Sequence, residues 1–131
     1  MNNLAYALLM NGQPVEARKI LESIPSDAKS SRGDSPVVLA ATWGLLYLWE
    51  GNIEKGQERY REAEALARTL PQHDLPNIVR QKMHLETARA YARQQDFAAA
   101  DIEISRGLSV KDGRDLYSQD LTALSNELRN R

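Results

Sequence analysis

Three segments of this chain superpose when they are aligned on Gly12, Gly51 and Gln95, and this alignment constrains the fold more than any single motif. In each segment, small residues lie seven positions before and five after the aligned residue, and bulky residues lie four before and nine after it. The small residues are Ala5, Gly44 and Ala88 before, and Ala17, Gly56 and Ala100 after. The bulky ones are Leu8, Tyr47 and Tyr91 before, and Leu21, Tyr60 and Ile104 after. Because small residues let two helices approach closely, the pattern predicts one helical hairpin used three times.

Turn and capping signals divide the chain into seven predicted helices and no strand. Gly12 and Gly51 suit helix ends. Helix starts are indicated by Pro14, by Ser35 as N-cap before Pro36, and by Asn52 and Asp96 as N-caps. The predicted helices cover residues 2–10, 14–24, 36–50, 53–70, 77–94, 97–107 and 114–131. They pair into hairpins at about 1–25, 36–70 and 77–108, separated by loops at 25–35 and 71–76. We therefore expect one all-α domain over residues 1–131.

The seventh helix carries one apolar stripe, with polar residues on its other faces. Tyr117, Leu121, Leu124 and Leu128 are spaced by 4, 3 and 4 residues, which places them on one side of a helix. A repeat stack needs a terminal cap that is apolar inside and polar outside, so we expect this helix to cover the third hairpin, near Ile102. The alternative is that the stripe binds a partner or forms a homodimer.

Composition excludes several classes of partner and of site. Acidic residues number 18 and basic residues 17, giving a formal net charge of −1, so no overall field favours nucleic acid or an anionic membrane. The absence of cysteine excludes disulfides and thiolate sites. No apolar stretch approaches the roughly 20 residues of a membrane helix, and no signal peptide is evident. The cytoplasm is the default location, which fails if the chain is part of a longer protein.

No group of residues has the spacing of a catalytic or metal site. His73 and His84 are the only histidines, and neither has a second ligand at metal-binding spacing. There is no phosphate-binding glycine loop and no nucleophile motif. The tripeptide at 32–34, Arg-Gly-Asp, lies in a serine-rich loop and is interpreted as loop sequence only. We therefore expect no enzyme activity, no cofactor and no metal.

Residues 1–108 resemble the tetratricopeptide repeat family. The resemblance depends on three sets of residues: Ala5, Leu8, Gly12 and Ala17; Gly44, Tyr47, Gly51, Tyr60 and Ala63; and Ala88, Tyr91, Phe97 and Ala100. The family repeats at about 34 residues, whereas these units are offset by 39 residues from Gly12 to Gly51 and by 44 from Gly51 to Gln95. A related helical-repeat class with longer units therefore stays open. Met1 falls about one turn inside the first repeat helix, which indicates one end of a longer protein.

The resemblance implies a right-handed superhelix whose concave groove is lined by the first helix of each hairpin. The first unit would contribute Asn2, Tyr6, Leu9 and Met10. The second would contribute Val38, Ala41, Leu45, Leu48 and Trp49, and the third Lys82, Leu85, Arg89 and Arg93. The leucines could equally be core residues, and the basic residues a solvated face. The position of Glu86 argues against the acidic chaperone tail that some family members bind.

The predicted function is a protein–protein interaction scaffold that binds a peptide or helix on the concave face. The residues predicted to contact the partner are Tyr6, Met10, Leu45, Trp49, Arg89 and Arg93. Aromatic and methionine side chains suit apolar anchors, and arginines suit an acidic flank. The alternative is a regulatory or sensor domain that binds a small ligand or a signalling peptide between repeats.

Overall fold

The computed structural model describes residues 2–24 and 35–130, and throughout these residues the regular structure is helical. The seven helices are α1 (Asn2–Met10), α2 (Pro14–Glu22), α3 (Pro36–Trp49), α4 (Ile53–Ala67), α5 (Leu75–Arg93), α6 (Phe97–Leu108) and α7 (Asp115–Arg129). The prediction of seven helices without a strand is thus confirmed for the described part of the chain. Helix α4 ends three residues earlier than predicted. Helix α5 begins two residues earlier, with Pro76 in its first turn, where a missing N–H costs nothing.

The helix starts follow from the predicted capping residues. The Ser35 hydroxyl accepts a hydrogen bond from the Val38 amide at 3.1 Å. The Asn52 carbonyl Oδ1 accepts one from the Lys55 amide at 3.2 Å, and the Asp96 carboxylate one from the Ala99 amide at 3.2 Å. These bonds satisfy amides that have no partner within the helix, so α3, α4 and α6 begin where the sequence predicted.

The three aligned residues adopt the same left-handed turn. Their φ angles are +71° at Gly12, +85° at Gly51 and +62° at Gln95. In each turn the following amide bonds back to the carbonyl of the bulky residue that recurs: Gln13 to Leu8 at 2.8 Å, Asn52 to Tyr47 at 2.9 Å and Asp96 to Tyr91 at 2.9 Å. This is the hydrogen-bond pattern of a Schellman C-cap. The alignment therefore corresponds to three equivalent turns, the third of which uses glutamine in a conformation that favours glycine.

The predicted small residues are buried in all three hairpins, and in the second hairpin they form a close backbone contact. Ala5, Ala17, Ala88 and Ala100 have no solvent exposure. A Cβ added to Gly44 would lie 2.9 Å from the Gly56 carbonyl oxygen and 2.7 Å from Tyr60 Cδ2. Helices α3 and α4 therefore touch through their backbones at these two glycines, as predicted.

The helices pack in chain order. Each hairpin pair is in contact, and the odd-numbered helices α1, α3, α5 and α7 also contact one another in succession. The even-numbered helices pack mainly against their neighbours in sequence, and a hydrogen bond from Gln57 of α4 to Glu103 of α6 joins two of them. The odd-numbered helices therefore form a continuous row, with the even-numbered helices beside it.

Helix α7 covers the third hairpin, but not at the predicted residue. Leu121 is fully buried with Leu85, Ala88 and Ile104, and Tyr117, Leu124 and Leu128 pack against this cluster. Ile102 is 54% exposed, so the predicted contact with Ile102 is wrong. Ile102 precedes Ile104 by two residues, which is about 200° of rotation on a helix. The contact instead uses the recurring position at Ile104.

Candidate protein-interaction groove

A cavity of about 270 Å³ opens between the odd-numbered helices. We call it the groove. Its walls are largely apolar and come from α3 and α5: Val37, Val38, Ala41, Leu75, Ile78 and Val79. Rings from three further elements complete the lining: Tyr6 of α1, Tyr60 of α4 and Tyr117 of α7. Among the residues that the structure describes, its polar lining consists of Asn3, Thr42, Lys82 and Arg114, which include two cations and no carboxylate.

Lys82 stands between two aromatic rings of the groove. Its ammonium lies 5.8 Å from the centroid of the Tyr6 ring and 5.1 Å from that of the Tyr117 ring, distances that permit cation–π attraction. It also donates a 2.6 Å hydrogen bond to the Glu86 carboxylate. Burial lowers the pKa of Lys82, but the charge and hydrogen bond of Glu86 raise it more, so the net pKa is raised. Lys82 is therefore a fixed positive charge.

Arg114 is positioned by a buried glutamine. The Gln81 side-chain oxygen accepts the Arg114 amide at 2.8 Å, and its Nε2 donates to the Ser118 hydroxyl at 3.0 Å. These bonds hold the start of α7 against α5, because Gln81 is almost fully buried. The Arg114 guanidinium lies 5.8 Å from the Tyr117 ring centroid. The second cation of the groove thus has a defined backbone position.

The structure places only one of the six predicted partner-binding residues in the groove, namely Tyr6. Met10 is exposed outside it. Leu45 is 0% exposed, which corrects its assignment to the binding surface. The same correction applies to Leu9, Leu48 and Leu85, which were also expected to line the groove and which belong to the core. Helix α3 contacts α1, α2, α4 and α5, so more than one of its faces is buried.

Trp49 and Arg93 form a stacked pair beyond the groove. The Arg93 guanidinium carbon lies 3.7 Å from the Trp49 ring centroid. A Cβ at Gly12 would be 3.7 Å from the far edge of the same indole. Trp49 is partly buried and packs against the core, so it joins the first turn to the third hairpin. Its two contacts link these parts of the chain, and the Arg93 guanidinium already covers one face of the ring.

The predicted basic wall is largely neutralised. Glu86 accepts hydrogen bonds from Lys82 and, at 3.0 Å, from Arg89. Arg89 also lies 3.7 Å from the Asp120 carboxylate of α7. Glu86 is almost completely buried, so the Lys82 and Arg89 side chains point their charged groups toward a buried carboxylate. Arg89 therefore links α5 to α7 and does not present a free positive surface.

Several groove residues were not predicted from the sequence. Leu75 lies before the predicted start of α5, and Ile78 and Val79 lie in its first predicted turn. Arg114 and Tyr117 had been assigned to the capping helix, whose apolar stripe had partner binding as its alternative role, and not to the concave groove. The signal for Leu75 was Pro76, which is well suited to the first turn of a helix that begins one residue earlier.

The remaining sequence features have no site geometry among the described residues. In residues 2–24 and 35–130, no three His, Asp or Glu side chains are grouped to hold a metal ion. Within the same residues, no helix is long and apolar enough to cross a membrane. The tripeptide at 32–34 and the side chain of Asn2 lie outside what the structure describes.

Comparison with known proteins adds no relative. No protein-family model matches the sequence, and no curated protein and no solved structure matches it significantly. What the chain binds must therefore be inferred from the geometry of the groove.

Proposed function

We propose that this chain is a protein-interaction module of the tetratricopeptide repeat type, with its helices arranged as a right-handed superhelix. The recurring turns at Gly12, Gly51 and Gln95 and the continuous row of odd-numbered helices support this arrangement. One unit cannot bury its apolar face alone, so units of this kind stack on each other. The row of odd-numbered helices then forms the concave face.

The observation that carries the proposal is the groove itself. An apolar cavity is lined by five helices, and its polar lining includes two cations, Arg114 and Lys82, of which Lys82 is paired with the buried Glu86. A peptide or helix with a large apolar side chain would fill the cavity, which favours binding by about 1.5–3 kcal/mol for a Leu or Phe. An acidic residue beside that anchor would meet Arg114. Helix-in-groove recognition has this form.

A matched pair of surface substitutions tests the proposal. Val38 lies in the groove and is 44% exposed, while Leu66 lies on α4, away from the groove, and is 39% exposed. Peptides would be selected from a random display library on the wild-type chain, and their dissociation constants measured with Val38→Glu and Leu66→Glu. We expect Val38→Glu to weaken binding at least about tenfold, or ~1.4 kcal/mol, and Leu66→Glu to leave it unchanged. Equal effects of the two variants would contradict the proposal.

The size of the cavity favours a second candidate function, a sensor domain for a small ligand. A volume of about 270 Å³ lies near the lower end of small-molecule sites. A small molecule that binds there and perturbs the ring signals of Tyr6 and Tyr117 in NMR spectra would favour this candidate. Peptides that bind the groove, together with no small molecule that binds there, would favour the first candidate function, the protein-interaction module.

A further inference from the structure

A second surface, separate from the groove, lies where α4, α5 and α6 meet. Two clefts of about 710 and 510 Å³ open there and share Arg80, His84 and Arg106. Arg61 and Arg68 line the smaller cleft, and Lys111 lines the larger one. Five cationic side chains thus surround one continuous depression in a chain whose net charge is −1. We call this depression the cationic cleft.

Glu64 and Glu103 lie behind the cations of the cationic cleft, whereas Asp112 is an exposed carboxylate that lines the larger cleft. Glu103 is 5% exposed in its side chain, and its Oε1 accepts a 3.1 Å bond from Arg106, which is 61% exposed. Glu64 is also nearly buried, and it pairs with the exposed Arg68. Buried acceptors of this kind fix the direction of the guanidinium groups while those groups face solvent. The accessible surface is therefore positive, although the carboxylates nearby reduce its net charge.

Most hydrogen-bond donors of these arginines remain available. A guanidinium has five N–H donors. Among the described residues, Arg106 donates to Glu103, Arg68 to Glu64 and Arg80 Nη2 to Asn77 at 2.7 Å. Arg80 Nε is enclosed without a hydrogen-bond acceptor, 3.7 Å from the Glu64 carboxylate. An oxyanion in the cationic cleft would supply acceptors to several of the exposed guanidinium N–H donors at once.

His84 adds a further group at the junction of the two clefts. Its Nδ1 lies 2.7 Å from the Glu103 carboxylate, so the carboxylate fixes the orientation of the ring. The other ring nitrogen, Nε2, remains for a ligand. Because Glu103 is also bonded by Arg106 and by Gln57 Nε2 at 3.4 Å, α4, α5 and α6 together hold the ring in place.

We propose that the cationic cleft binds the phosphate group of a small phosphorylated molecule. A phosphate monoester carries nearly two negative charges and three acceptor oxygens, and arginine forks match its geometry through paired hydrogen bonds. In the described part of the chain, no Phe, Tyr or Trp lines either cleft, so these residues offer no ring on which nucleic-acid bases could stack. This site does not depend on the proposed function of the groove.

The test uses O-phosphoserine as the probe and NMR spectroscopy of the whole chain at low ionic strength. We expect saturable shifts of the His84 ring and of neighbouring amides, with a dissociation constant of about 1 mM or tighter. Arg106→Gln and Arg80→Gln should each weaken binding about tenfold or more, because each removes a charged donor. Arg59→Gln is the matched control, since it removes the same charge from an exposed arginine of α4 that bonds Glu62 outside the clefts.

Each outcome decides for or against the cleft. Binding that is weakened in both cleft variants and retained in Arg59→Gln supports the proposal, provided that circular dichroism shows unchanged helix content in all three. Equal weakening in Arg59→Gln would mean that only overall charge matters and would overturn it. Absence of saturation by about 10 mM probe, far weaker than the expected affinity, would also overturn it. So would tight binding of an eight-nucleotide thymidine strand without binding of O-phosphoserine.

Discussion

Replacing Gly44 by alanine should destabilise the chain although alanine is the better helix former. The added methyl group would lie 2.9 Å from the Gly56 carbonyl oxygen and 2.7 Å from Tyr60 Cδ2. The carbonyl belongs to the backbone of α4 and Tyr60 is buried, so neither group can move aside by rotation alone. Helices α3 and α4 would have to separate by several tenths of an ångström.

Two opposing terms set the size of the effect. Alanine gains about 1 kcal/mol over glycine inside a helix, while overpacking a tight core costs about 1–3 kcal/mol. Since the contact is with backbone, we take the upper part of that range and expect a net loss of about 1–2 kcal/mol. Gly107→Ala is the matched control. The nearest neighbours of its methyl group would be side-chain atoms, at 2.7 Å for Leu121 Cδ1 and 3.2 Å for His84 Cβ, so its net loss should be at least about 1 kcal/mol smaller.

Urea denaturation followed by circular dichroism measures the free energy of unfolding of both variants and of the wild type. We expect Gly44→Ala to unfold at a lower urea concentration than Gly107→Ala. The slope of the free energy of unfolding against urea concentration should be the same for both. A Gly44→Ala chain as stable as the wild type would refute the close backbone contact between α3 and α4.

Three further predictions concern the third hairpin. Gln95→Gly should raise the free energy of unfolding by about 0.5–1 kcal/mol in urea denaturation, because the residue adopts φ +62°; a loss of stability would contradict this. Ending the chain at Gly113 should lower the melting temperature and cause aggregation, since burial of Leu121 alone contributes about 1.5–3 kcal/mol; a stable monomer would instead favour a partner-binding helix. Burial would raise the pKa of Glu103, but the hydrogen bond and charge of His84 and the charge of Arg106 lower it overall. Glu103 therefore stabilises the fold above its ordinary pKa of 4.5 and loses this effect as the pH falls below it. In urea titrations, the free energy of unfolding should therefore differ less between pH 3 and pH 7 for Glu103→Gln than for the wild type.

The secondary structure was predictable because its signals are local. Ser35, Asn52 and Asp96 bond amides three residues away, and a left-handed turn needs only one permissive residue. The small pair at Gly44 and Gly56 was predictable because the recurring spacing places the two residues on facing helices. Helix type, turns and hairpin contacts therefore followed from the pattern alone.

The groove was less predictable because its lining depends on how helices stack. The periodicity of α3 shows which of its residues share a face. It does not show that α3 contacts four other helices and that Leu45 is fully buried. The ion pair of Glu86 with Lys82 could be predicted because the two residues lie four positions apart on one helix. The contact of Arg89 with Asp120 could not, because it joins two helices, α5 and α7. The cationic cleft brings together arginines from α4, α5 and α6. Because these residues are far apart in the sequence, no spacing among them indicates that they share a surface. Side chains assembled across elements require the tertiary structure.

We propose that the row of odd-numbered helices forms the binding face. The most direct test is the map of backbone amide shifts when a peptide selected on the wild-type chain is titrated into labelled protein. We expect the largest shifts on α1, α3, α5 and the start of α7, around Tyr6, Val38 and Tyr117. Shifts confined to α4 and α6 would contradict it.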